Sequence, residues 1–248
     1  MIIIMQMNIL VSQFNTPAFN LSAEEYLFSK TGENYLFLYI NEPSVIIGSN
    51  QAVLNEVDID FCIDNSILII RRLSGGGAVY HDFGNINYSF IHELTEKPLS
   101  AQFLDPVIEV LKRLGINAEI GKRKDLWLEG LKISGTASHI SKGRELHHGT
   151  LLYDTNIDML RGSLTPAKRD LVKKATQSVV SPVTNINCSL SGENGSPPDT
   201  DSFFKSLKDL FVDYYEANGI TDFSDADIVE IEKLQREKYT NREWNYRK

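Results

Sequence analysis

The sequence predicts an α+β domain. Strand-like and helix-like segments follow one another without regular alternation, the strand candidates are short and strongly apolar, and a glycine turn crowded with hydrogen-bonding side chains interrupts them. Residues 1–5 (MIIIM) are apolar but lack a basic flank and a small-residue cleavage site, and they are too short to span a bilayer, so they read as a first strand. Residues 20–29 follow as a helix, and 35–40, 45–48 and 67–70 as strands. After the glycine turn, residues 86–91 continue the sheet.

Asp105-Pro106 opens a helix through residue 114, with proline at a tolerated first position and Gly115 as a stop. Residues 126–133 read as two short strands around a Glu129-Gly130 turn, which places Lys132 on a strand. A further strand covers 146–153, and Thr165-Pro166 starts a basic helix through residue 174. Residues 189–200, dominated by Ser, Gly, Pro and Asn, form the clearest linker or surface loop. Beyond it, Phe203, Leu207, Leu210, Phe211 and Tyr214 fall at helical spacing as a core-facing stripe. The segment after the loop is short for an independent unit, so the chain is expected to be one domain over residues 1–248.

Composition restricts the partners. The 248 residues carry a formal net charge of −8, with 42% hydrophobic and 23% charged residues. That is ordinary globular usage, and an acidic balance argues against a general nucleic-acid binder. No membrane partner is expected. Cys62 and Cys188 are far apart and in no metal-like spacing, so neither a disulfide framework nor a zinc motif is expected, and a reducing cytoplasm is the natural compartment.

The most informative stretch is residues 71–90, RRLSGGGAVYHDFGNINYSF. Gly75, Gly76 and Gly77 let the backbone approach a ligand closely and follow a strand end, where a loop can offer amides to an anion. Arg71 and Arg72 would add charge-assisted bonds to a phosphate or carboxylate. His81 and Asp82, adjacent on an extended segment, point to opposite faces and so make no dyad, whereas Asn85 and Asn87 share a face and can order the turn.

This segment resembles the signature of the lipoate–protein ligase A family: an Arg-Arg pair, Ser/Thr-Gly-Gly-Gly-Ala-Val, an aromatic-His-Asp, then Gly-Asn-x-Asn. Asn20-Leu-Ser-Ala-Glu-Glu-Tyr26 is similar to the family's first helix, and Pro43-Ser-Val-Ile-Ile-Gly-Ser-Asn-Gln51 to its strand with a ligand-facing Asn-Gln. Lys124-Asp125, Lys132-Ile-Ser-Gly-Thr-Ala137, His147-His-Gly-Thr-Leu-Leu152, Lys238-Tyr239 and Glu243-Trp244-Asn245 follow in the family's order. The resemblance implies a biotin/lipoate protein ligase-like catalytic domain, a mixed, mainly antiparallel sheet flanked by helices. It also implies an activity: lipoate is activated with ATP to lipoyl-AMP and passed to a lysine of an apo lipoyl domain, from a 2-oxoacid dehydrogenase complex or the glycine-cleavage carrier protein.

The resemblance assigns roles residue by residue. Lys132 is the catalytic residue. ATP or lipoyl-AMP is held by Arg72, Ser74, Gly75, Gly76, Gly77, Ala78, Val79, Tyr80 and Asn85 together with Lys132. Asn50, Gln51, Gly135, His148 and Gly149 form the lipoate pocket. Asp125 takes Mg²⁺. The chemistry agrees, because joining a carboxylic acid to an amine through an adenylate brings a carboxylate against an α-phosphate, and one ammonium can bridge both oxygens. Mg²⁺ prefers oxygen ligands and commonly contacts only one or two carboxylates.

Two departures stand out. Lys124 replaces an Asn usual before the family's aspartate, and family ligases continue past the Trp-Asn element into a C-terminal accessory domain, whereas this sequence stops at Lys248. A lipoyltransferase using preformed lipoyl-AMP, or needing a separate accessory subunit for activation, is therefore the first alternative. An octanoyl- or lipoyl-acyltransferase would need a thiolate at a cysteine motif that neither Cys62 nor Cys188 matches. A biotin ligase loop and a Gly-Lys-Ser/Thr phosphate loop are absent, and a non-catalytic lipoate-binding module would not need Arg72, Asp125 and Lys132 together. Lys142, Arg144, Lys168, Arg169, Lys173 and Lys174 are candidates for a basic docking patch.

Overall fold

The computed structural model describes residues 6–166, 175–190 and 196–247. The expected strand over 1–5 lies outside the described residues, as do residues 167–174 of the expected basic helix, with four of the six docking candidates, and 191–195 of the loop. Twelve strands are described: β1 Asn8–Val11, β2 Tyr35–Ile40, β3 Ser44–Ile47, β4 Leu68–Arg71, β5 Val79–His81, β6 Asn85–Glu93, β7 Glu119–Ile120, β8 Leu126–Leu128, β9 Leu131–Ser134, β10 Thr136–Ser141, β11 Arg144–Leu152 and β12 Ile220–Thr221. They form a six-stranded sheet in the order β10-β11-β6-β2-β1-β12 and two three-stranded sheets, β4-β3-β5 and β7-β8-β9. The large sheet is antiparallel except where β1 lies parallel to β2 and β12. The mixed, mainly antiparallel α+β architecture is the one expected.

The β2 sequence YLFLYI is apolar without alternation because both its faces are covered. Leu36, Leu38 and Ile40 join Tyr88 and Phe90 in a core closed by helices Asp105–Arg113 and Thr200–Tyr214. Phe203, Leu207 and Phe211 of the second helix are buried there, and Leu210 and Tyr214 pack at its edge, so the stripe read from spacing is core. On the other face Tyr35, Phe37 and Tyr39 pack on the helix Pro17–Ser29. No helix among the described residues is long and apolar enough to cross a membrane.

Long-range ties close the fold. Arg71, fully buried, donates from Nη1 to the carbonyls of Gly48 (2.8 Å) and Gln51 (2.7 Å), and from Nη2 to those of Asn245 (3.1 Å) and Arg247 (2.9 Å). Its own amide donates to Asn245 Oδ1 at 2.9 Å, and the Trp244 indole donates to its carbonyl at 2.8 Å. The arginine thus fastens the segment around helix Arg242–Asn245 to the loop after β3. Arg71→Met strands several buried carbonyls, each worth about 1–3 kcal/mol when left unpaired. Urea unfolding of that variant is expected to show a loss of at least about 3 kcal/mol, and a loss below about 1 kcal/mol would contradict the account.

Candidate active site

The glycine turn bends over the end of β3. Gly76 has φ +87°, open to glycine but strained for other residues, and a Cβ on Gly48 would run into the Gly76 carbonyl, so two chain segments touch through glycine alone. Arg72 braces the turn from within. Its guanidinium donates to the carbonyls of Ile46 (3.0 Å), Gly75 (2.5 Å) and Gly77 (2.8 Å), and its Nε to Ser74 Oγ (3.0 Å). Burial lowers its pKa to about 10, which still leaves it charged near neutrality. The Ser74 hydroxyl donates to His148 Nε2 at 2.6 Å, and His148 Nδ1 donates to Glu24 Oε1 at 2.8 Å. The turn is thereby locked to β11 and to the Pro17–Ser29 helix.

A cavity of about 310 Å³ opens beneath the turn. Of the residues assigned from sequence, Arg72, Gly76, Gly77, Ala78 and Val79 line it from the turn, Asp125 and Lys132 from the facing hairpin, and Gly135, His148 and Gly149 from the large sheet. A second, more apolar cavity of about 400 Å³ adjoins it under residues 178–183, and Lys132, Ala78 and Val79 line both. Tyr80 lies on the second cavity only.

The remaining assigned residues act at one remove from these walls. Ser74 is the hydroxyl between Arg72 and His148, and Gly75 gives its carbonyl to Arg72. Asn85 donates to Asn87 Oδ1 at 2.9 Å, and it is Asn87 that faces the cavity. Gln51 turns inward, accepting from the Gly48 amide (2.9 Å) and donating to Ser178 Oγ (3.2 Å), and the Asn50 carbonyl takes the Thr176 amide. The space at Gly149 is filled on one side by the Tyr88 hydroxyl, so the glycine accommodates that ring. Arg144, a docking candidate, is buried and bonded to Glu93 at 2.8 Å: it belongs to the pairing of β11 with β6, while Lys142 is exposed.

Lys132 sits on β9, beyond a two-residue turn whose Glu129 (φ 52°) and Gly130 (φ 78°) are both left-handed, the hairpin geometry that favours a Gly second residue. Its amide donates to the Pro182 carbonyl, and its carbonyl accepts from the Thr184 amide, so the 182–184 segment fixes it from outside. Its Nζ lies 3.4 Å from Asp125 Oδ2, too poorly aligned for a hydrogen bond, and that buried oxygen has no hydrogen-bond partner. Burial opposes the Asp125 charge, but the Trp127 indole and the Lys132 ammonium outweigh it and lower the carboxyl pKa. Burial lowers the Lys132 pKa, against the pull of Asp125. Lys124, standing where the family has Asn, has φ 60°, a left-handed conformation that asparagine enters more readily.

Among the cavity residues that sequence reasoning missed, two carry titratable groups. Arg123 reaches the cavity from the same hairpin approach and lies 3.7 Å from Asp125. His81, given no ligand role from sequence, also lines the cavity. Asn20 Nδ2 donates to Asn41 Oδ1 (2.8 Å), so Asn41 presents Nδ2 to His81 Nδ1 (3.0 Å), and the proton of the neutral ring sits on Nε2, which is buried and unpartnered. Burial, with help from Arg72 and His148, lowers this imidazole to about 3. Asp82 points away and accepts the amides of Gly84 and Asn156, as expected of neighbours on a strand.

Fold and cavity together define an α+β domain whose cavity is lined by Arg72, Asp125 and the half-buried Lys132. The chain belongs to the lipoyl protein ligase A/B catalytic domain family, whose model matches residues 16–212. It is 36% identical to the lipoate-protein ligase LplJ of Bacillus subtilis over 94% of this chain and 71% of that protein. It resembles the structure of a lipoate-protein ligase A bound with ATP (25% identity, TM-score 0.80, covering 98% of this chain and 99% of that one). It also resembles P. falciparum LipL1 in complex with lipoate (28%, TM-score 0.77, 98% and 74%).

Because burial lowers Lys132, an amine-acylating reagent should label it with a pH midpoint below that of an ordinary lysine, read by peptide mass spectrometry. Asp125 raises the Lys132 pKa, so Asp125→Asn should move the midpoint further down. An unshifted midpoint, or an upward move in the variant, would contradict this electrostatic reading.

Proposed function

We propose that this chain is a lipoate–protein ligase that condenses lipoate with ATP to lipoyl-AMP and then acylates a lysine of an apo lipoyl carrier domain. The observation that carries the reading is Lys132, whose side chain lies on the wall shared by the two cavities. The cavity under the glycine turn takes the acyl chain, along Leu21, Tyr39 and Ile46, and the apolar cavity under 178–183 takes the adenosine. A lipoate carboxylate oxygen attacks the α-phosphorus and pyrophosphate leaves. In the second step the carrier's lysine amine attacks the acyl carbonyl, loses a proton, and AMP departs.

Lys132 stands where both anions meet, and its ammonium stabilises charge developing on the α-phosphate and on the acyl oxygen. The His81 Nε2–H, unpartnered among the described residues, offers a neutral donor to the acyl group. Asp125 Oδ2, ion-paired with Lys132 but without a hydrogen bond among the described residues, is a buried carboxylate oxygen suited to Mg²⁺, which would neutralise phosphate charge when bound. A thioester route finds no thiolate here. Cys62 lies in a separate apolar cluster, its thiol pushed up to about 11 by burial, and Cys188 is exposed on the short Asn187–Leu190 helix.

The test is the intact mass of an apo lipoyl domain incubated with the protein, lipoate, ATP and Mg²⁺, beside a reaction given synthetic lipoyl-AMP. One lipoyl mass gain is expected, with Lys132→Ala slowing it about 10²–10³-fold. Modification from the adenylate alone would reduce the reading to a lipoyltransferase, and none from either source would overturn it. His81→Phe removes one donor and is expected to raise the KM for lipoate by about 10-fold, the scale of one hydrogen bond to a charged group. An unchanged KM would remove His81 from the acyl site.

A further inference from the structure

We propose that His92, Glu145 and His147 form a binding site for one divalent transition cation, with Zn²⁺ the ion their chemistry fits, outside the ligand cavity. In the antiparallel pairing of β6 with β11, Glu145 lies directly opposite His92, and His147 follows two residues later. All three side chains therefore leave the same face of the sheet. One ligating atom from each falls within 4.8 Å of the others, and all three residues are buried. Two imidazoles and one carboxylate, with no sulfur, are a zinc donor set.

The atoms facing away from this centre are already tied. His92 Nδ1 donates to the Glu93 carbonyl at 2.8 Å, which leaves Nε2 as the lone-pair nitrogen of the ring. Glu145 Oε1 accepts the Thr95 amide and hydroxyl, both at 3.0 Å. His147 Nδ1 meets Ser138 Oγ at 2.8 Å, and the Phe103 ring stacks on the imidazole at 4.4 Å and 11°. Such partners orient metal-binding imidazoles and carboxylates and fix their tautomers. At the centre itself, His147 Nε2 and Glu145 Oε2 stand 2.7 Å apart. A cation takes the place of the proton between them, that proton moving to His147 Nδ1 and being donated to Ser138 Oγ. No proton is lost from a neutral ring in the exchange.

Charge balance points the same way. Neighbouring Arg144 is committed to Glu93. A buried carboxylate facing two imidazoles without a full countercharge is the situation that a coordinated cation relieves. The ion would clamp β6 and β11 together with the segment at Thr95, one residue from His148 of the cavity wall.

The experiment titrates chelator-stripped, full-length protein with Zn²⁺ against a chromogenic chelator and records melting curves with and without the metal. One equivalent is expected in the unaltered protein, together with a rise in melting temperature. His92→Ala should weaken binding at least about 100-fold and abolish the rise, and Ser138→Ala, which keeps all three ligands, should weaken it about 10–100-fold. Cys188→Ser should leave binding unchanged. Absence of stoichiometric zinc, equal affinity in His92→Ala, or loss of the metal with Cys188 would each overturn the proposal.

Discussion

The site depends on two adjacent, buried guanidinium groups that spend their donors on the protein's own main chain. Arg71 collects carbonyls from the loop after β3 and from residues 244–247, and Arg72 collects those of Ile46, Gly75 and Gly77. A buried charge is tolerable only when its hydrogen-bonding capacity is filled, so each arginine forces nearby carbonyls to turn toward it. The glycine turn takes its shape from this demand. Without the arginines, several peptide dipoles in one small region would lack partners.

The same logic extends outward through neutral groups. From Arg72 the chain of hydrogen bonds runs through Ser74 and His148 to Glu24, which also accepts the Ser89 hydroxyl at 2.5 Å. A second chain runs from Ser12 through Asn20 and Asn41 to His81. Both begin at or beside the Pro17–Ser29 helix and end at the cavity, so one helix orients polar groups on two of its walls. Lys132 is held differently, by a hairpin turn on one side and by the 182–184 main chain on the other. Its charge is balanced by Asp125 without being consumed by it, since their contact lacks hydrogen-bond alignment. Such a pair remains available to an anionic ligand and to a hard cation.

Local chemistry was legible in the sequence. The alternation-free apolar run of β2, the Pro-initiated helix at 105, the Glu129-Gly130 turn and the helical stripe after residue 200 each follow from residues close together in the chain, and each is found near its expected place. The order of motifs also sufficed to point to the family. Lys132 on a strand followed from the hairpin alone, because a two-residue turn fixes which residues flank it, whereas its ion pair with Asp125 came from the fold.

What the sequence did not determine is where polar side chains spend their hydrogen bonds. Arg72 reads as a ligand-facing cation, but its donors close on carbonyls brought in from β3 and the turn. Gln51 reads as ligand-facing, yet it pairs with Ser178, 127 positions away in the chain. His81 reads only as half of a dyad that its neighbour cannot complete, yet its tautomer is set by an asparagine 40 residues earlier, which leaves an N–H at the cavity. Residue type and spacing thus determined most of the elements and the family. Only the tertiary structure decided which polar atoms remain unsatisfied and so free to meet a ligand, because burial and long-range partners, absent from any local window, set that balance.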